Sequence, residues 1–221
     1  MPTSLRRFLL LAACAGLLPA GVQAQVESPA GPVPPELLKQ RRARLLESLG
    51  DGIAIVRSAE HRITERDHPQ ESDYREKNDF FYLVGLEAPD ASLILIAHPG
   101  GRDSVVLYLP ERNPAAEAWT GPRLGPGPEA QQITGIDDVR AAQRFSADVA
   151  GWLGSMRGTL FVDVPMWEQS ACGPDLTRVP ECAPVLATLE LPAGVRVASA
   201  SEHIAALRQV KDAEELRRLR E

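Results

Sequence analysis

Histidines at metal-ligand spacing are missing from this chain. The four present, His61, His68, His98 and His203, share no i, i+3 or i+4 relation. None lies near a Cys-x-x-Cys or a His-Glu-x-x-His, the patterns that aim ligands at one zinc ion. There is no Gly-x-Ser-x-Gly elbow, no P-loop and no glycine fingerprint following a strand. Residues 121–128 hold three Gly and three Pro, but each proline removes a backbone N–H that a phosphate cradle would use. Basic charge is in deficit, with 24 Lys and Arg against 30 Asp and Glu, which argues against nucleic acid as a partner. The apolar run Phe8–Leu18 falls short of the roughly 20 residues that a membrane-spanning helix needs. No catalytic or metal-ligating set is recognisable.

Residues 1–24 read as a signal peptide. Arg6 and Arg7 form its basic start, Phe8 to Leu18 its apolar centre, and Val22-Gln23-Ala24 a small-residue cleavage site before Gln25. A competing reading takes Leu11-Ala12-Ala13-Cys14 as a lipoprotein signal, with Cys14 lipidated. The favoured reading is a soluble export product, periplasmic or secreted. Cleavage would leave 197 residues with 22 Lys and Arg against 30 Asp and Glu, a formal charge of −8. That length suffices for one good core. Cys172 and Cys182 then remain, with nine residues between them in a Pro-rich loop. In an oxidising compartment they would close a small disulfide ring, or they are two unrelated thiols.

Along the chain, residues 25–35 read as a flexible lead-in. Pro35-Glu36 start a helix whose apolar stripe is Leu37, Leu38, Leu45, Leu46 and Leu49, with Gly50 at its C-terminal cap. Gly52–Val56 is a short buried strand, and Ser58–Lys77 a long charged loop. Leu93–Ala97 and Val105–Leu109, joined through Gly100-Gly101, read as a hairpin. A helix capped by Ser146 is expected to run to about Met156, followed by strands at Thr159–Val164 and Val195–Ala198. A short helix is expected near Val185–Leu189. Ser199 or Ser201 would cap a helix over 202–209, and Asp212 a final one that the sequence leaves without a C-terminal cap. Strands alternating with helices, with one hairpin among them, predict an α/β fold: a mixed β-sheet flanked by helices.

The stretch Asn78–Gly125 stands out for aromatic and charged residues that look exposed beside glycines. Asp79-Phe80-Phe81-Tyr82-Leu83-Val84-Gly85 leads into Glu87-Ala88-Pro89-Asp90-Ala91 and the strand from Ser92. After the second strand come the corner Arg112-Asn113 and then Glu117, Trp119, Gly121, Arg123 and Gly125 at alternate positions. Taken with Leu207–Leu216, these motifs resemble the N-terminal domain of Xaa-Pro aminopeptidases (aminopeptidase P), shared with prolidases and creatinases. Asn113 stands where that pattern usually has an acid.

The resemblance implies a domain over 36–206, with 207–221 opening a catalytic metallopeptidase domain that this sequence does not reach. In that family the second domain binds two divalent metals, usually Mn²⁺, whose bridging hydroxide attacks the bond before proline. None of its ligands is assignable here, and this chain alone is expected to be inactive and to hold no cofactor. The implied partners are peptides with proline at the second position and further copies of the chain, as a dimer or tetramer. Trp119 resembles a residue that reaches a neighbouring subunit's substrate pocket, where an indole would stack on proline; otherwise it packs its own loop. Arg123 is either a carboxylate anchor at that pocket's rim or a solvated loop arginine. Two other functions stay open at this point: a prolidase N-terminal domain, and a free-standing binding or oligomerisation module.

Overall fold

Ser92–Ala97 has no polar residue after its first, so a strand built from it needs cover on both faces. The computed structural model describes residues 32–60, 74–98, 100–156, 158–164, 189 and 191–220, with Trp119 and Thr120 described in backbone only. There Ser92–Ala97 forms β2, and all six of its residues are buried. β1 (Gly52–Arg57) and β3 (Ser104–Leu109) flank it, both antiparallel. β4 (Asp138–Ala141), β5 (Thr159–Val162) and β6 (Arg196–Ser199) complete a six-stranded sheet of order β4-β3-β2-β1-β5-β6. β4 runs parallel to β3, β5 to β1 and β6 to β5. The sheet is therefore mixed, as the hairpin requires.

Helices cover both faces. On one lie α1 (Pro35–Leu49), α2 (Asn78–Val84), α4 (Pro128–Thr134) and α6 (Ala200–Gln209). Leu45, Leu83, Val84 and Ile204 from these helices close over Ala54, Val56, Leu93, Leu95 and Leu107. On the other face α5 (Phe145–Ser155) sets Val149 and Leu153 against Ile55, Ile94, Ile96 and Leu160. The described side chains of α3 (Pro114–Thr120) and of α7 (Ala213–Arg218) belong to neither cluster.

Two arginines sit within the apolar stripe of α1 and are buried with it: Arg41 is 4% exposed and Arg42 3%. Arg42 Nη1 donates to the Leu83 carbonyl at 2.7 Å, and its Nη2 to those of Thr134 and Gly135 at 2.9 and 3.0 Å. These oxygens lie at the C-terminal ends of α2 and α4, where helix carbonyls lack partners and carry partial negative charge. One guanidinium thus satisfies two helix ends and ties both to α1. Burial lowers the Arg42 pKa to about 10, which leaves it charged at neutral pH.

Several sequence expectations need correction. Phe80 and Tyr82 look exposed in sequence, but both are buried within α2, whose helix the sequence reading did not foresee. α5 begins at Phe145 behind a single 3-10 turn, and Ser146 lies inside it rather than capping it. Ser199 occupies the N-cap position of α6 without a side-chain cap bond, while the Ser201 hydroxyl accepts the Val164 N–H at 3.2 Å. α3, α4 and β4 were also not foreseen. The signal segment 1–24 with Cys14, most of the lead-in, His61, His68, Cys172 and Cys182 lie outside the described residues, as does the helix expected near 185–189 apart from Leu189, which is not helical.

Two substitutions test this packing. Arg42→Met strands three carbonyl oxygens and should cost about 3 kcal/mol, read as a lower urea midpoint at unchanged slope. Gly52→Ala would drive a Cβ into the Thr159 carbonyl oxygen across the β1–β5 pair. It should lower stability at least as much, by the same measurement.

Candidate functional site

Beyond β3 the chain leaves the sheet, and Pro110 to Gly127 form an arm that the sheet's ladder does not organise. Three local devices fold it instead. First, the Asn113 side chain accepts the N–H groups of Ala115 and Ala116 at 3.2 and 3.3 Å, capping α3, and Pro114 follows at the first helical position. Second, Arg112 and Glu117 meet fork to fork, Nε to Oε1 at 3.0 Å and Nη2 to Oε2 at 2.6 Å. The Glu117 carboxylate also accepts the Arg123 backbone N–H, and the Arg123 charge acts on it too. Third, glycines admit what a side chain would block. Gly121 turns the chain at φ 81°, and a Cβ on Gly125 would lie 2.9 Å from Arg112 Cγ.

The arm returns to the body through Leu124, which packs against the cluster under α1 and α2. Its tip stays out in solvent, with Pro114, Ala115, Ala116 and Ala118 all exposed. Trp119 is carried on the last turn of α3, and its side chain lies outside the described residues. Arg123 is half-buried, and its backbone N–H is bound by the Glu117 carboxylate. Trp119 and Arg123 therefore belong to one stapled element, four residues apart across Gly121.

The sequence reading passed over the staple itself. Asn113 departs from the acid of the family pattern, and Asn-Pro followed by Ala-Ala-Glu is also a helix-start signal. A second missed residue is Glu76, 5% exposed. Its two oxygens accept from the N–H groups of Ala59, Lys77 and Ala88 and from the Tyr74 hydroxyl, at 2.7 to 3.1 Å. It joins the end of β1, the entry of α2 and the approach to β2. Burial pushes its carboxyl above the ordinary glutamate range against the pull of those donors. Beside it, Lys77 reaches Asp163 at the end of β5 at 3.0 Å.

Among the described residues, no three His, Cys, Asp or Glu side chains come together to hold a metal. No helix there is long and apolar enough to cross a membrane. His98 is exposed, and His203 rests edge-on to Phe161 beside Ser48. The described side chains thus offer a surface and an arm, and no step through a bound metal can be built on them.

Comparison with known proteins places this architecture. The family model for the aminopeptidase P N-terminal domain matches residues 38–161. Escherichia coli Xaa-Pro aminopeptidase is 33% identical over 103 residues, 47% of this chain and 23% of that protein. Human Xaa-Pro aminopeptidase 3 is 35% identical over 75 residues, 33% of this chain and 15% of that protein. Among solved structures, E. coli aminopeptidase P with the inhibitor Pro-Leu superposes with a TM-score of 0.65 at 22% identity, over 85% of this chain and 41% of that one. Proline aminopeptidase P II from Yersinia pestis gives 0.63 at 22%, over 84% and 41%. These two likenesses show a shared fold, and the chain spans less than half the length of each of the four proteins named here.

The arm's order should depend on the Glu117 charge. The hydrogen bond from Arg112 holds the Glu117 carboxyl below its ordinary value. A depressed carboxyl stabilises above the ordinary glutamate pKa of about 4.3 and loses that contribution as pH falls below it. Glu117→Gln should therefore speed tryptic cleavage after Arg123 at least fivefold at pH 7 and leave the urea midpoint nearly unchanged. In the wild-type chain, an acid-stable protease should find the arm progressively more open below pH 4.

Proposed function

We propose that this chain, which belongs to the aminopeptidase P N-terminal domain family, is the assembling and substrate-shaping domain of an exported Xaa-Pro aminopeptidase. The observation that carries this reading is the arm: a stapled projection bearing Trp119 and Arg123 on a domain of that family. Catalysis is assigned to a metal-binding domain following this one, since the aligned E. coli and Y. pestis structures extend far beyond the matched 41%. E. coli aminopeptidase P has been solved Zn-substituted in complex with product. For the protein to which this chain belongs, we assign two divalent ions, Mn²⁺ by preference, both held by that second domain.

In this reading the substrate is a peptide with proline second, and copies of the protein assemble as a dimer or tetramer. Trp119 reaches from one copy toward the pocket of another. An indole is flat, rigid and apolar, and it covers a pyrrolidine ring at low entropic cost. Arg123, steadied by Glu117, would stand at the rim and take a peptide carboxylate in a bidentate contact. Export fits the basic, apolar and small-residue sequence of 1–24.

The test is release of the first residue from an Xaa-Pro-Xaa tripeptide with Mn²⁺ present. The 221-residue chain alone should give none, and a polypeptide extended through the following domain should turn over. In the extended protein, Trp119→Ala should raise KM at least tenfold for the tripeptide and leave the oligomer intact by light scattering. Turnover by the 221-residue chain alone, or an unchanged KM in the variant, would overturn this assignment.

A further inference from the structure

Helix α7 is six residues long and none of them is buried. A helix so short has no stability of its own in water, so something must hold it. Its own end is closed by a capping box: Asp212 Oδ1 accepts the Glu215 N–H at 2.8 Å, and Glu215 Oε2 accepts the Asp212 N–H at 3.0 Å. The second carboxylate oxygen of Asp212 faces the domain. It accepts from Nε and Nη2 of Arg41 at 3.0 and 2.7 Å, and Glu215 Oε2 lies 3.9 Å from the same Nη2.

Arg41 is itself immobilised. Its Nη1 donates to the Tyr82 carbonyl at 3.2 Å, and its guanidinium lies 4.3 Å from the centroid of the Tyr82 ring. Beside this contact an open groove of about 680 Å³ runs between α1 and the C-terminal segment, lined by Leu37, Gln40 and Arg44 on one side and Val210, Ala213 and Arg217 on the other. The apolar side chains of this stretch point outward, with Val210 80%, Leu216 43% and Leu219 72% exposed. On the near side of Val210, α6 is fixed by buried Ala200 and Ile204 and by the pair Arg208–Asp79 at 2.6 Å. A rigid helix and a polar-held helix thus meet at two exposed residues, Val210 and Lys211.

We propose that Arg41 is an electrostatic latch that sets the bearing of α7 on the domain, with Val210 and Lys211 as the hinge. Apolar contact is non-directional and tolerates sliding, whereas a bidentate guanidinium–carboxylate pair fixes both distance and angle. The latch also reports inward, since the same guanidinium holds the last turn of α2. Whatever polypeptide continues from α7 inherits the bearing that this contact imposes. The inference is independent of the catalytic reading, because it concerns residues of this chain alone.

Hydrogen exchange on the 221-residue chain tests it at the amides of Leu216 and Leu219, which donate to the Asp212 and Glu215 carbonyls. Arg41→Gln should speed their exchange at least tenfold, with the amides of β1 and β2 unchanged. Asp212→Asn keeps an oxygen for the Glu215 N–H but loses the charge, and it should do the same. The double variant should go no further than either single one, since all three remove one contact. If Arg41→Gln also exposes β1 and β2, Asp212→Asn decides alone. Unchanged exchange at Leu216 and Leu219 in Asp212→Asn would overturn the proposal.

Discussion

The helical layer depends on one buried cation. Arg42 brings a full charge to the contact of α1, α2 and α4, where it meets three carbonyl oxygens and no carboxylate among its hydrogen-bond partners. Taking a guanidinium out of water costs several kcal/mol, and neutral acceptors recover it only because they are helix C-termini with aligned dipoles. Burial accordingly lowers the Arg42 pKa. What the cation contributes in return is direction. Two helix ends must arrive together within hydrogen-bond reach of one planar group, a condition that apolar packing alone would not set.

The neighbouring Arg41 solves a different problem with the same side chain. It has a true counter-ion in Asp212 and is offset by it, so its stake lies in where the C-terminal segment sits. Glu76 repeats the logic with the opposite sign, gathering three backbone N–H groups that no ladder satisfies. Glu117 does so in the arm, partly in solvent. In each case backbone groups without a ladder or helix-turn partner are held by one side chain that can meet several groups at once. Buried backbone donors and acceptors need partners, and outside helices and strands a multivalent side chain is the compact way to supply them.

These hubs were the least legible part of the sequence, and the reason is physical. β1, β2 and β3 announce themselves because continuous apolar runs have few alternatives, and α1 and α7 because their caps and Pro35 are local signals. α2 did not: Asn-Asp-Phe-Phe-Tyr-Leu-Val spans two turns, too short for a 3.6-residue period to emerge, and its aromatics favour strand by propensity. β4, Asp-Val-Arg-Ala, is a polar edge strand whose pairing is supplied by β3. α4 did carry a signal, with Pro128 at its start and Gly135 closing it at φ 64°. The arginines of α1 were visible too, as two charges where an apolar stripe should continue. Their acceptors lie 41 to 171 residues away, and no local pattern encodes such a distance.

The same reasoning sorts the arm's motif. Glu117 fastens the arm, Gly121 turns it, Gly125 makes room for Arg112, and Arg123 supplies a backbone N–H and a charge to Glu117. Each of these has a duty inside the arm that any function would require. Trp119 is the exception, since nothing in the way α3 is capped or stapled calls for an indole at its last turn. Under the proposed function the duty of that indole lies outside the arm, in covering a substrate proline. A stiff support would lower the entropy lost in such a contact. In that proposed reading the staple and the tryptophan belong together, because the ion pair fixes the backbone of the arm before any partner meets it.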